Sequence, residues 1–312
     1  MSNWDKRYTD RLQLLVDTLP TISQETRFAL KGGTAINLFE DDLPRLSVDI
    51  DLTWLPVGDY DSDLQEIDAA LRGLAEKLGA APLRLQVQTG RSEGNLRIFA
   101  SRERARIQIE TTPVMRGTVY PVRSMRIQPS VERNFGFAQM QVLDHNDLYA
   151  GKLAATLSRQ HPRDLFDTGR LLDRTGIDEQ LWRTFLVYLT CSPKPAAEIL
   201  SPSAPVEFAK TFESHFKGMT ATETTAEALL EIRSRLLARI GELMDESSRA
   251  FLLSVERESP DFVQIGLPDA ATLPGVRRKL HNLAQRSARK READYRQLIE
   301  TMERIDNPDR RR

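Results

Sequence analysis

The sequence has one cysteine, no apolar run near the length of a membrane span and almost no net charge, and each shortage narrows what the chain can be. Cys191 alone cannot build a disulfide framework, which fits a reducing compartment. No stretch approaches the roughly 20 apolar residues that cross a bilayer. The first residues, Met1 to Arg11, are polar and lack an apolar signal core, so the expectation is a cytoplasmic protein with no membrane partner. With 44 basic and 45 acidic residues among 312, the formal net charge is -1. No whole-molecule field draws such a chain to nucleic acid or lipid, and any such contact must be local. The four histidines, His145, His161, His215 and His281, show no metal-ligand spacing with one another or with Cys191, which argues against zinc. Neither a Gly-x-Ser-x-Gly elbow nor a Walker-type Gly-Lys-Ser/Thr loop is present.

What is there reads as a mixed α/β first half and a helical second half. Leu12, Leu15, Val16 and Leu19 recur at helical spacing and predict a first helix that stops at Pro20. Strands are predicted at Phe28 to Leu30, Val48 to Trp54, Leu83 to Gln88, Leu96 to Ala100, Ala105 to Thr111 and Ala138 to Val142, with a helix over Asp63 to Leu78. Strands interleaved with helices predict an α/β (α+β) domain on one mixed sheet. After Asp144 the strand signal ends, and Asp147 to Arg159, Arg163 to Arg174 and Glu179 to Leu189 read as helices. The Pro- and Ser-rich stretch Cys191 to Pro205 is the linker candidate, which divides the chain into 1–190 and a helical 191–312. From Arg277 to Arg312 about twelve basic residues face six acidic ones, either a solvated helix or a surface for an acidic partner.

The chemistry concentrates in Leu30-Lys31-Gly32-Gly33-Thr34-Ala35 and the following Arg45-Leu46-Ser47-Val48-Asp49-Ile50-Asp51-Leu52. The first block is a strand passing through two glycines into a helix. Glycines allow close backbone approach, and the free N–H groups of the helix start attract an anion such as a triphosphate, with Thr34 adding a hydroxyl. In the second block Asp49 and Asp51 alternate with Val48, Ile50 and Leu52, so both carboxylates leave one face of a strand. Two like charges side by side make sense around a hard divalent cation, and magnesium, or manganese in its place, suits phosphoryl or nucleotidyl transfer. Glu110, at the end of Arg106-Ile107-Gln108-Ile109-Glu110, is the candidate third carboxylate.

Gly32-Gly33, fifteen residues, then Asp49-x-Asp51 resembles the motif of the polymerase β-like nucleotidyltransferase superfamily. The fuller text, Lys31-Gly32-Gly33-Thr34-Ala35 with Arg45-x-Ser47-x-Asp49-Ile50-Asp51-Leu52, is similar to its AbiEii/AbiGii toxin branch. A second block agrees: Lys152-Leu153-x-Ala155 with Arg159, then Pro162-Arg163-Asp164-Leu165-Phe166-Asp167, resembles that branch's downstream Lys and Arg-Asp-x-x-Asp motif. The phrase Leu273 to Leu283 is similar to it more weakly. The resemblance implies a polymerase β-like nucleotidyltransferase domain followed by a helical domain. It implies Asp49, Asp51, Lys152, Asp167 and Glu110 as catalytic residues, with Asp49, Asp51 and Glu110 on the metal. Gly32, Gly33, Thr34, Ser47, Lys152, Arg163 and Asp164 would then hold the nucleoside triphosphate.

Read from the residues alone, Tyr149, Ala150, Leu153 and Leu157 form a buried stripe that leaves Lys152 on another face, either as a plain surface lysine or as one reaching a cleft to neutralise phosphates. Arg163 and Asp167 stand at i, i+4 after Pro162, and Asp164 suits a helix N-terminus. The resemblance further implies the toxin of a toxin-antitoxin or phage-exclusion pair, with a cognate antitoxin, adding nucleotides to an RNA acceptor such as the transfer RNA 3′ end. Two other classes remain at this stage: a phosphotransferase acting on a protein, and a non-catalytic nucleotide- or partner-binding module.

Overall fold

The computed structural model describes residues 4–92 and 95–306. The chain forms two compact units. One comprises Met1–Leu148 with Phe216–Glu223, and the other Tyr149–His215 with Thr224–Arg312. The change of unit therefore falls at residue 148, inside a helix, whereas composition put it at 190. The Pro- and Ser-rich stretch from Cys191 lies within the second unit and contains a short buried helix of its own.

The first unit is built on a seven-stranded mixed sheet. Its strands are β1 (Phe28–Lys31), β2 (Asp49–Trp54), β3 (Gln86–Ser92), β4 (Asn95–Arg102), β5 (Ala105–Thr111), β6 (Arg123–Arg126) and β7 (Gln139–Val142), in the order β3-β4-β5-β2-β1-β7-β6. β1 runs antiparallel to β2, and β2 runs parallel to β5. Helix α1 (Lys6–Ile22) buries Leu12, Leu15, Val16 and Leu19 as their spacing predicts. It continues two residues past Pro20, because a proline in the last turn withholds a single N–H. A short helical segment, α2, opens as an α turn over Gly32–Ala35 and continues as a π turn over Ile36–Glu40. Helix α3 (Tyr60–Ala80) starts at Asp59, whose side chain accepts from the N–H groups of Asp61 and Ser62. Helices α1 and α3 pack on β3, β4 and β5, over the face that buries Leu96, Ile98, Ile107 and Ile109.

Three elements depart from the sequence pattern. β3 begins three residues later than the alternation of Leu83, Leu85 and Val87 predicts, since Arg84 takes a left-handed φ of +54° that no strand accommodates. β6, Arg-Ser-Met-Arg, carries no apolar alternation and is an edge strand held by its pairing to β7. A helix, α4 (Pro129–Phe135), precedes β7 and was likewise not predicted.

The second unit is helical: α5 (His145–Arg159), α6 (Pro162–Arg174), α7 (Glu179–Cys191), α8 (Ala196–Leu200), α9 (Phe208–His215), α10 (Ala226–Leu243), α11 (Glu246–Glu256), α12 (Pro274–Ala284) and α13 (Ala288–Asp306). Side-chain caps fix several starts: Asp178 accepts from the Leu181 N–H, Thr225 from Ala228 and Asp245 from Ser248. Trp182, fully buried, donates its indole N–H to Ser248 and so ties α7 to α11. Among the described residues no helix is long and apolar enough to cross a membrane.

Candidate active site

β1 delivers the chain into the glycine pair, and the glycines are required by what stands behind them. Gly32 has φ +73°, a conformation that side chains disfavour, and a Cβ there would lie 2.6 Å from Oδ2 of Asp51. A Cβ on Gly33 would lie 2.6 Å from a guanidinium nitrogen of Arg45 and 3.2 Å from the Ser47 hydroxyl. The two glycines thus let the first turn of α2 lie directly against β2 and the segment leading into it. Thr34 is fully buried. Its hydroxyl is directed at the Asp49 carbonyl and lies 3.0 Å from the Ser47 hydroxyl oxygen, which can share the same proton. Thr34 and Ser47, expected on the nucleotide, here hold the start of β2 in place. Arg45, also buried, donates to the Leu46 carbonyl and bridges to Thr220, a residue of the later segment Phe216–Glu223 that belongs to the first unit.

On β2, Asp49 and Asp51 are half-buried on one face while Ile50 and Leu52 are fully buried on the other, as the alternation predicts. Register places Lys31, Asp51, Glu110 and Arg97 side by side across four strands. Glu110 is therefore the direct neighbour of Asp51. Its carboxylate is engaged, ion-paired to Arg97 at 2.8 Å and accepting from Gln108 at 2.7 Å. Among the described residues no three His, Cys, Asp or Glu side chains are grouped to hold an ion by themselves. The expected trio of Asp49, Asp51 and Glu110 is contiguous in register without forming such a cluster, because Arg97 claims the third member. Lys31, which ends β1, stands opposite Asp51. Burial pulls its ammonium below the usual lysine range, while the charges of Asp51 and Glu110 work to raise it.

The second unit carries the other motif. Lys152 is buried and not on a solvent face: its ammonium sits 2.8 Å from Asp164 and 2.8 Å from Asp167. Two carboxylates from the first turns of α6 make burial of a lysine on α5 tolerable. Burial alone would raise the Asp164 carboxyl, but Lys152 and the two hydrogen bonds from Arg159 overcome it and hold Asp164 well below the carboxylate range. Asp167 turns to Lys152. The Arg163 backbone N–H donates to Nδ1 of His161, which caps α6.

The basic stretch near the C-terminus is mostly paired. Lys279 is buried, donating to the carbonyls of Ser192 and Lys194, so it cannot face solvent as a tail lysine would. Arg286 and Lys290 pair with Asp294, and Arg291 with Glu258. Arg277, Arg278 and Arg289 are exposed. The terminal arginines from Arg310 to Arg312 lie outside the described residues.

A mixed sheet in which a Gly-Gly turn packs onto two alternating carboxylates of the next strand has the architecture of a nucleotidyltransferase. The family model described as nucleotidyl transferase AbiEii toxin, type IV toxin-antitoxin system, matches residues 13–282. The chain belongs to that family. Its fold is similar to that of MenT4, the nucleotidyltransferase toxin Rv2826c from Mycobacterium tuberculosis H37Rv, at 17% identity and a TM-score of 0.59, covering 89% of this chain and 95% of that one. No curated protein matches the sequence.

Proposed function

We propose that the protein is a magnesium-dependent toxin that transfers a nucleotide from a nucleoside triphosphate to an RNA acceptor, such as the 3′ end of a transfer RNA, and is restrained by a cognate antitoxin protein. The observation that carries this reading is the pair Asp49 and Asp51, on one face of β2 with the Gly32–Gly33 turn packed against it. The donor set fits a hard divalent ion: two half-buried carboxylates on alternate residues, with phosphate and water oxygens left to complete the shell. Asp49 and Asp51 would hold magnesium, or manganese in its place, which when bound would stabilise charge on the attacked phosphate and the leaving group.

The chain's own groups do the rest. The N–H groups that open α2, together with the Lys31 ammonium, attract the triphosphate tail. An acceptor hydroxyl attacks the α-phosphorus in line, the bond to the β-phosphate oxygen breaks, pyrophosphate departs and the hydroxyl proton passes to solvent. Glu110, held by Arg97, shapes the field beside Asp51. Lys152, Asp164 and Asp167 form a closed cluster within the second unit, so any phosphate that takes Lys152 has to displace one of the two aspartates.

Incubation with each α-labelled triphosphate, magnesium, total cellular RNA and total protein tests the reading. Label on RNA, lost with Asp49→Ala and with chelator, is the expected result. Label that reaches protein from the γ-position would replace it with a phosphotransferase.

A further inference from the structure

The polar face of the sheet does not end at the carboxylates. The register carries it outward over three strands: beside Asp49 stand Gln108, Phe99 and Gln88, beside Asp51 stand Glu110, Arg97 and Gly90, and one row further lie Arg106, Ser101 and Gln86. The helices of the first unit that cover β3, β4 and β5 lie on the opposite, apolar face. Gln86, Gln88 and Arg106 are exposed. Within this polar field stands one aromatic ring. Phe99 abuts Gly90, where a Cβ would come within 3.2 Å of the ring edge, and the Arg106 guanidinium lies over the ring at 4.4 Å from its centroid. Arg97 pairs with Glu110, and Arg106 stands exposed in the outermost of these rows.

We propose that the Phe99–Arg106 stack is the platform on which the last base of a single-stranded RNA acceptor rests. This rests on the transferase reading and extends it to the acceptor. A flat guanidinium already laid on an aromatic ring offers its outer face to a nucleobase and its charge to the neighbouring phosphate. Direction supports an acceptor over the incoming triphosphate. The glycine turn that draws the pyrophosphate end adjoins β2 from the β1 side, and Phe99 lies on the other side of β2. In-line attack brings the nucleophile from opposite the leaving group. Two strand spacings separate Phe99 from Asp49, about 10 Å, which is the reach of a terminal nucleotide whose hydroxyl approaches the carboxylates.

The test uses the full chain and fluorescence anisotropy of a 5′-fluorescein-labelled single-stranded RNA, with magnesium and no triphosphate. Arg106→Ala and Phe99→Ala should each weaken RNA binding by roughly 5- to 100-fold, with Phe99→Trp restoring it. Binding of a fluorescent triphosphate should stay at the wild-type value in all three. Arg106 is exposed, so its variant keeps the fold even if Phe99→Ala does not, and thermal melting checks both. Unchanged RNA affinity in folded Arg106→Ala overturns the platform, as does a wild-type protein that binds no RNA. If RNA is bound through these residues but nothing is transferred, the transferase reading falls and the platform stands. If RNA is labelled and both variants bind it as the wild type does, the platform falls and the transferase reading stands.

Discussion

Gly32 and Asp51 occupy each other's space: the carboxylate of Asp51 stands where the first side-chain carbon of any other residue at position 32 would be. The glycine and the aspartate of the motif are therefore one structural unit, although eighteen residues separate them in the chain.

Gly32→Ala should consequently cost activity more than stability. The left-handed φ costs about 1–2 kcal/mol with a Cβ present, a loss of a few degrees in melting temperature. The displaced Asp51 carboxylate should lower nucleotide transfer by a much larger factor. Transfer at the wild-type rate in a folded Gly32→Ala protein would separate the glycine from the carboxylate.

Asp49→Asn and Asp51→Asn should each reduce nucleotide transfer by roughly a hundredfold or more, since charge stabilisation worth several kcal/mol is lost at the transition state. Both side chains are half-buried at the end of a strand, so the melting temperature should hardly move. Single-turnover rates across a magnesium titration are the measurement, and full activity in either variant ends the metal-site reading.

Lys152→Ala should unfold the second unit more readily than it impairs nucleotide use. Removing the ammonium leaves Asp164 and Asp167 buried together, a loss of roughly 3–5 kcal/mol in denaturant unfolding. The triple change Lys152→Met, Asp164→Asn, Asp167→Asn should recover much of that stability. If Lys152→Ala melts like the wild type while its KM for triphosphate rises, the lysine serves the nucleotide and the scaffold role is wrong.

Stability should fall as the medium is acidified below neutrality. Burial, reinforced by the positive charge of Arg163, lowers His161 from its ordinary value to about 4. Between about pH 6.5 and 4 the unfolded chain takes up a proton that the folded chain refuses, so folding weakens as pH falls through that window and the loss levels off below it. The depressed carboxyl of Asp164 adds a second loss at lower pH, because its contribution is full only above the ordinary carboxylate range. His161→Asn, which keeps a cap for the Arg163 N–H, should flatten the upper part of a melting temperature against pH profile. An unaltered profile would assign the acid sensitivity elsewhere.

Arg277→Ala with Arg278→Ala should leave the melting temperature in place and, if these exposed arginines meet RNA phosphates, reduce the salt slope of RNA binding by up to about one unit per contact. Lys279→Ala should do the reverse, lowering stability because a buried lysine's two hydrogen bonds to the half-buried Ser192 and Lys194 carbonyls are lost. An equal effect of both on melting would mean that the whole helix face is structural.

Local pattern made much of this legible. The period-two alternation of Asp49, Ile50, Asp51 and Leu52 fixes which side chains share a face, and the Gly-Gly turn announces itself by composition. Partners distant in sequence were not legible. Nothing in the text around Glu110 says that Arg97 will lie beside it, because that pairing depends on which strands become neighbours. Helical spacing put Lys152 on a different face from the apolar stripe, whereas it is buried beside Leu153 and Thr156, because α6 brings two aspartates to it that the spacing could not show. Thr34 has the composition of a phosphate-binding hydroxyl, and only the packing of α2 on β2 turns it inward. The residue composition of Cys191 to Pro205 suggested a linker, but α8 folds there because Ala196, Ala197, Ile199 and Leu200 are buried.

The segment Phe216–Glu223 has a consequence for the order in which the protein is made. The Leu46 N–H donates to the Met219 carbonyl and Arg45 bridges to Thr220, so the loop that leads into the carboxylate strand is braced by residues translated long after it. A ribosome that has released the first 148 residues has produced every strand of the sheet but not its last brace. The unit that carries Asp49 and Asp51 is therefore complete only once residue 223 has been made, after five helices of the other unit have already been synthesised.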